Sequence, residues 1–420
     1  MLSKYIKKQY FSLIAASFFL YLVLNNTLFL TEEKITSETT LPEEQESVTP
    51  VELFNNSYKI VKNNYWDKAS AEDELLRFKK RYINKIKDEE DAKVAINTML
   101  ASLNDPYSKF LDKKEFEEQN TNINSKIYGI GINIASVAGK IIIINVIKGT
   151  PADYADLKSG DMITKINGND AQGKSIVQIA GYIRNPDVQT VDMEILRGSK
   201  KLVKQIKKTE IKIKTVKSEI LDKKIGYIKI SSFISNDTPI EFIDALNKVK
   251  DTEALILDLR GNTGGLFQNA VFVADLFLKN KNIVSVLGRG GHKSLYKTHD
   301  KGYTYEKPMA VLVDSESASA SEIVSGALKD NKRALIIGTK TYGKGLVQKV
   351  FPMPNHTGLN LTIARYLTPL NIDINKKGIE PDYLIQITKE DQVSNNDRQL
   401  NFAIKTLQAE IERNKIAKTK

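Results

Sequence analysis

The chain has 420 residues, of which 41% are hydrophobic, 27% charged and 8% aromatic, a globular composition that excludes wholesale disorder and leaves room for about two or three domains. Lys and Arg number 62 against 51 Asp and Glu, a net charge of +11, yet the basic stretches lack the interleaved aromatics of a nucleic-acid surface. Cysteine is absent, which excludes a disulfide scaffold, a Cys₄ zinc site and a thiol nucleophile; with three histidines (His292, His299, His356), a His-based triad or multi-His metal site is hard to build.

From Gln9 to Thr31 no residue is charged, and FSLIAASFFLYLVL (11–24) is almost wholly apolar. A run of this length spans the ~30 Å hydrocarbon core as a helix. Lys4, Lys7 and Lys8 precede it and Glu32 and Glu33 follow, so the positive-inside rule keeps the N-terminus cytoplasmic and exports the remainder. The following LNNTLFLTEE offers no A-x-A-like cleavage site, which favours a single uncleaved membrane anchor over residues 1–30, with a cleaved signal and a soluble periplasmic protein as the alternative. Residues 31–50 carry six Glu, one Lys and two Pro and read as a solvated acidic linker.

Residues 51–126 read as an N-terminal helical region: Leu53, Tyr58, Val61 and Tyr65 fall at near-helical spacing, and DEEDAKVAINTMLASL repeats the pattern before LNDPYSKFL breaks it. From Tyr128 the period changes to strands. YGIGINIAS, KIIIINVIKG, a turn-rich PADYADLKSGDMITKING, a short helix at SIVQIAGYI and a strand at TVDMEILRG make one unit over 127–213, and an exposed alternating strand, EIKIK (210–214), leads out of it. Residues 214–388 alternate strand and helix: IGYIKISSF, then TPIEFIDALNKVKD with Thr238 as N-cap and Pro239 as first helical residue, then ALILDLR, FQNAVFVADLFL, MAVLVD, SASEIVSGALKDN and ALIIG. A hairpin of LVQKVFP and LNLTIARYL follows, and 389–420 is a helical tail. The pattern predicts a layered α/β core with helices on a largely parallel sheet.

Three segments of that core point to chemistry. SASASEIVSGALKD (317–330) is a small-residue turn from a strand into a helix, where unpaired backbone N–H groups lie beside a serine hydroxyl, as acyl transfer requires; Ser319-x-x-Glu322 is equally a capping box. TYGKGLVQ (341–348) sets Lys344 between Gly343 and Gly345. With no histidine nearby, lysine is the candidate base for a serine, provided burial lowers its pKa from ~10.4 by about two to three units. Gln348, four residues on, is expected on the same strand face as Lys344 to orient its amine. ALILDLRGNTGGL (254–266) ends a buried strand in a glycine loop able to turn N–H groups towards a ligand.

In this order, LNDPYSKFL, YGIGINI, GTPADYADLKSGDMITKING, ALILDLRGNTGGL, SASASEIVSGALKD, TYGKGLVQ and GIEPDYLI resemble the carboxyl-terminal processing peptidases, a Ser–Lys protease family, over roughly residues 50–385. The resemblance implies a crotonase/Clp-like layered α/β protease core with an inserted PDZ domain at 127–213. It implies Ser319 as nucleophile, chosen over Ser317 and Ser321 by the family's 25-residue spacing to Lys344, with Lys344 as base and Gln348 as its orienter. Gly264, Gly265 and the N–H of Ala320 would form the oxyanion hole. Gly129, Ile130, Gly131 and Ile132 would receive a C-terminal carboxylate, and Arg184 would couple peptide binding to the active site. Two departures bear on that coupling: RNPDVQT (184–190) replaces Arg-Gly-x-x-Gly-Thr, and Asp156 replaces a glycine.

The expectation is a periplasm-facing, inner-membrane-tethered serine endopeptidase, without metal or cofactor, that captures exported proteins by apolar C-terminal tails. An adaptor lipoprotein and a second copy of the chain, paired through residues 51–100 and 390–412, are its expected partners. The rival readings are a PDZ-based envelope scaffold with an inactive or adaptor-gated core, disfavoured by the intact Ser319, Lys344 and Gln348, and an acyl-thioester enzyme, disfavoured by export.

Overall fold

The computed structural model describes residues 48–123, 126–185, 187–212, 214–222, 224–299, 305–394 and 396–419. The apolar run 9–31 and nearly all of the acidic linker lie outside the described residues, and among the described residues no helix is long and apolar enough to cross a membrane.

Thr49 and Glu52 close a capping box, Pro50 takes the first helical position, and helix α1 (Pro50–Asn64) follows. Leu53, Tyr58, Val61 and Tyr65 are all buried, as their spacing predicts. Helices α2 (Lys68–Tyr82) and α3 (Glu89–Ala101) complete this unit, and α3 buries Ala92, Ala95, Ile96, Met99 and Leu100. The cluster they form also contains Met353, Leu359 and Leu361, some 250 residues later in sequence. A loop at 103–108 leads to the short strand β1 (Lys109–Leu111) and helix α4 (Lys113–Ile123).

The chain enters the next unit on β2 (Lys126–Gly129). It continues through β3 (Ile132–Val137), β4 (Lys140–Val146), the single-turn helix α5 (Pro151–Tyr154), β5 (Met162–Ile166), β6 (Asn169–Asp170), α6 (Ile176–Arg184), β7 (Thr190–Arg197) and β8 (Lys200–Lys207). It leaves on β9 (Thr209–Lys212), which pairs antiparallel with β2, so entry and exit form one ribbon. The sheet runs β3-β4-β5-β7-β8, and β3 is an edge beside α6. Ile141, Ile143, Ile163, Ile166, Ile179, Val191, Met193 and Ile195 fill a core of its own. Asp156 stands at φ 57°, a conformation usual for glycine; Asp is among the residues that tolerate it, and its carboxylate pairs with Arg197 at 3.1 Å.

The remaining chain builds two sheets. In order come β10 (Val216–Leu221), β11 (Ile225–Ile230), α7 (Thr238–Val249), β12 (Ala254–Asp258), α8 (Phe267–Asp275), β13 (Asn282–Gly288), β14 (Lys293–Lys297) and β15 (Met309–Val313). Then follow α9 (Ala320–Asp330), β16 (Leu335–Gly338), β17 (Leu346–Met353), β18 (Thr357–Leu367), β19 (Tyr383–Leu384), α10 (Lys389–Val393) and α11 (Arg398–Thr419). The first sheet runs β10-β11-β12-β15-β16-β19, parallel except for β10, and is the expected α/β core. Alternation assigns its two faces: Leu255, Leu257, Val311 and Val313 pack with α7, α8 and α9, whereas Ala254, Ile256, Ala310 and Leu312 pack with Ala403, Leu407 and Ile411 of α11. The second sheet, β1-β18-β13-β14 with β17 on β18, joins the hairpin to a strand of the N-terminal unit; β13 and β14 have no counterpart in the sequence expectation.

Two expectations change. The N-cap of α7 is Asp237, with Thr238 and Pro239 inside the helix; Thr238 is fully buried and its hydroxyl pairs with that of Thr215 at 2.9 Å instead of capping. The helix expected at 390–412 is two helices, and the apolar stripe of α11 is covered by its own sheet, so that stripe does not serve to pair two protomers.

Candidate active site

Parallel strands β12 and β15 end side by side, and the loops leaving their carboxyl ends meet. Ala318 N–H donates to Asn262 O at 3.0 Å, which locks the serine turn onto the glycine loop. Ser319, between this contact and α9, has φ 54° and ψ −112°, a conformation costing a non-glycine residue about 1–3 kcal/mol. Burial separates the three serines. Ser317 and Ser321 are fully buried, their hydroxyls donating to Leu259 O (2.9 Å) and Asn262 O (2.8 Å), while Ser319 retains partial exposure.

Glu322 ties this turn to the lysine loop. Its carboxylate is 1% exposed and accepts from Ser319 N–H (2.9 Å), as a capping box requires. It also accepts from Thr341 Oγ1–H (2.6 Å), Gly343 N–H (2.7 Å) and Lys344 N–H (2.9 Å). Sequence reasoning saw the cap and missed the other three bonds. Tyr366 makes a second tie: its buried hydroxyl donates to the carbonyls of both Ser319 (3.0 Å) and Lys344 (2.5 Å), and burial pushes its pKa well above the ordinary phenol value.

The glycines around Lys344 are required by close approach. A Cβ on Gly343 would lie 2.9 Å from the backbone of Lys377 and Gly378, and one on Gly345 2.8 Å from Asn375 N. The Lys344 side chain is half-buried, and its Nζ lies 4.7 Å from the centroid of the Tyr107 ring. Burial pulls the amine below its ordinary pKa, against the Asp105 and Glu322 carboxylates, which act to raise it. Among the described residues no hydrogen bond joins Ser319 Oγ to Lys344 Nζ; such pairs often tighten only when substrate is bound. The expected shared strand face does not hold for Gln348. β17 begins at Leu346, after Lys344, the pairing shifts register at Val347/Gln348, and the Gln348 amide donates to Thr362 Oγ1 at 3.3 Å.

The glycine loop is likewise divided. Gly264 stands at φ 102°, and a Cβ there would lie 2.8 Å from both Ala318 O and Ser319 Cβ. Its N–H donates to Asn262 Oδ1 at 2.9 Å, which takes it out of the expected oxyanion donors. No hydrogen bond from the N–H of Gly265 or of Ala320, the first helical residue of α9, is made among the described residues. The strand behind the loop is held by Arg260, which pairs with Asp258 (2.7 Å) and, across 137 residues, with Asp397 (2.8 Å). Replacing Gly264 with alanine is expected to slow labelling of Ser319 by a fluorophosphonate probe at least ~100-fold, because the methyl displaces the serine turn from its donors. Labelling at the wild-type rate would show that the contact is not critical.

In the unit spanning β2–β9, the Gly129–Ile132 segment is also sorted by its bonds. Gly129 lies in the ribbon, opposite Thr209. Ile130 O and Gly131 O accept from Ala152 N–H (2.8 Å) and Ile147 N–H (2.9 Å), so the opposed N–H groups of Gly131 and Ile132 face away from those partners, beside the free edge of β3. Gly131 has φ 90°, and a Cβ there would overlap the Thr150 side chain. Arg184 ends α6 and is exposed. The altered loop after it is held from below by Lys208, 1% exposed, whose Nζ donates to Asn185 O at 2.5 Å and lies 5.3 Å from the Tyr128 ring.

Comparison with known proteins places the chain among known families. The profile of peptidase family S41 matches residues 224–385, that of a PDZ domain residues 129–207, and that of the activating protease CtpB N-terminal domain residues 13–115. The chain is 32% identical over 345 residues to a carboxyl-terminal-processing protease of Synechocystis sp., covering 80% of each. It is 37% identical over 350 residues to the carboxy-terminal processing protease CtpB of Bacillus subtilis, covering 81% of this chain and 71% of that one. Among solved structures it is similar to a photosystem II D1 C-terminal processing protease, with 27% identity, a TM-score of 0.56, and coverage of 81% of this chain and 94% of that one.

Proposed function

Because the chain belongs to the carboxyl-terminal processing proteases of peptidase family S41, which makes it a serine-type endopeptidase, we propose that Ser319 is its nucleophile and Lys344 its general base. The observation that carries this assignment is the left-handed Ser319 turn, partly exposed at the start of α9, with Gly264 packed against its Cβ. Neutral Lys344 takes the Oγ proton as oxygen attacks the scissile carbonyl, and the N–H groups of Gly265 and Ala320 receive the oxyanion. The protonated amine then gives its proton to the leaving nitrogen, the C–N bond breaks, and an acyl-Ser319 ester forms. Water, deprotonated by the same amine, hydrolyses the ester and restores Ser319. We assign Gln348, braced by Thr362, to orient the amine in this cycle.

Substrate selection follows from the PDZ domain in this reading. The N–H groups of Gly131 and Ile132 bind a chain-terminal carboxylate, the β3 edge takes the tail as an added strand, and the half-buried Ile132 and Ile134 of β3 with Tyr182 of α6 supply apolar surface for the last side chain. Residues 9–31 anchor the enzyme, with its body on the exported side and unfolded exported proteins as substrates. The test compares cleavage, by the full chain in detergent, of one unfolded protein ending in Leu or Asp. Burying an apolar side chain contributes about 1.5–3 kcal/mol, so the apolar tail is expected to raise kcat/KM about 10- to 100-fold. Equal cleavage of both tails would remove the PDZ domain from substrate selection. Tail binding without cleavage would favour a scaffold.

A further inference from the structure

The N-terminal unit reaches the active site through Tyr107, and the backbone of that residue is fixed. Asp105, 8% exposed, accepts from Tyr107 N–H (3.0 Å) and from Ser108 Oγ–H (2.6 Å). Ser108 Oγ in turn accepts from Thr362 N–H (3.0 Å), and Tyr107 O accepts from Asn360 Nδ2 (3.1 Å). Two residues on, Lys109 pairs with Asn360 in the β1–β18 ladder. The loop is therefore bound to the same strand that braces Gln348 through Thr362 and carries Tyr366.

The ring so placed lies under the Lys344 amine at 4.7 Å. A half-buried ammonium loses part of its hydration, and the negative face of an aromatic ring replaces some of it. Around the amine stand the carboxylates of Asp105 and Glu322 and the Tyr107 phenol, itself bonded to exposed Tyr342. Burial and the Tyr342 bond push the Tyr107 phenol up to about 12, so the ring stays neutral. A four-carbon stem with no fixed end is a poor base, since its amine samples many positions.

We propose that Tyr107 is a positioning residue of the proteolytic reaction: its ring face holds the end of the Lys344 side chain beside Ser319 and sets the pH at which that amine becomes neutral. This rests on the assignment of Lys344 as base. The N-terminal helices are then part of the active site, and not only a cover for the β17–β18 hairpin.

The test is the pH profile of kcat/KM for full-length wild type, Tyr107→Phe, Tyr107→Leu and Lys344→Ala, with a tetrafluorophenylalanine at 107 that keeps the ring's shape and withdraws its face charge. Removing the face charge removes stabilisation of the ammonium form. The amine then loses its proton at lower pH, and the acid limb of the profile moves down. Tyr107→Phe is expected to keep the wild-type limb. Tyr107→Leu and the fluorinated variant are expected to shift it down by about half a unit to one unit, and Leu also to lower the plateau about 10-fold. The proposal is overturned if the fluorinated variant keeps the wild-type limb, if Leu lowers the rate with no shift, or if Phe shifts as Leu does, which would assign the effect to the hydroxyl. A fully active Lys344→Ala would instead remove the base assignment itself.

Discussion

Ser319→Ala and Lys344→Ala are each expected to reduce kcat/KM for an unfolded substrate by at least about 10⁴-fold, with both variants folded as well as the wild type. Losses of this order are seen when a member of a nucleophile–base unit is removed, because the remaining groups cannot complete the step. Ser319→Ala leaves the strained φ in place and removes one hydroxyl, so its thermal midpoint should stay within about 2 °C of wild type. Lys344→Ala removes a half-buried amine whose charged form is disfavoured by burial, so it should be neutral or slightly stabilising. Lys344→Arg should be as inactive as alanine, because a guanidinium does not become neutral in the working range. In the wild type, the depressed Lys344 pKa means that activity rises with pH through that value, which lies below the ordinary lysine value of ~10.4. Cleavage assays across pH, beside melting curves of the same samples, check all of these. Retained proteolysis in Ser319→Ala would transfer the nucleophile elsewhere, and the full burial of Ser317 and Ser321 leaves neither a ready substitute.

Glu322→Ala is expected to damage stability and activity together. It strands three backbone N–H groups, of Ser319, Gly343 and Lys344, and the hydroxyl of Thr341, all now bonded to one buried carboxylate. An unpaired buried donor costs about 1–3 kcal/mol, and partial relaxation or entering water would reduce the total to roughly 3–5 kcal/mol. At about 2–4 °C per kcal/mol for a domain of this size, the melting midpoint should fall by about 6–20 °C. Activity should fall about 10²- to 10³-fold even well below that midpoint, since the Ser319 turn and the Lys344 loop lose their common fastening. Glu322→Gln, which keeps the shape but turns an amide donor towards N–H donors, should fall between the two. A variant with the wild-type midpoint and a low rate would show that the carboxylate acts in the chemistry and not as a brace. One with a low midpoint and the wild-type rate would show that the two loops hold their geometry unaided.

Much of this protein is legible in the sequence, for local reasons. The Thr49–Glu52 box starts α1, and a period of 3.6 places Leu53, Tyr58 and Val61 on its buried face. The unbroken apolar runs in ALILD and MAVLV mark strands with two covered faces, and alternation of such strands with amphipathic helices leaves few folds other than a layered α/β sheet. The order of the glycine, serine and lysine motifs is enough for the family and its chemistry. Each of these features depends on residues within a turn or two of each other, where backbone geometry acts directly on side-chain pattern.

What tertiary structure alone decided depends on residues far apart in the chain. Three serines alike in local sequence are told apart there only by the spacing of a resembling family, whereas the fold buries Ser317 and Ser321, bonded to Leu259 and Asn262, and leaves Ser319 partly exposed. Asn262 occupies the Gly264 N–H and leaves Gly265, although adjacent glycines look equivalent in GNTGG. The register shift opposite Gln348 arises from pairing with β18 and cancels the face argument made from spacing. Glu322 reads as a helix cap until the lysine loop, some twenty residues on, closes over it. Tyr107 stands 237 residues before Lys344, and its ring meets the amine because β1 pairs with β18. A contact of that kind costs loop-closure entropy, which the rest of the fold offsets, so no local pattern announces it.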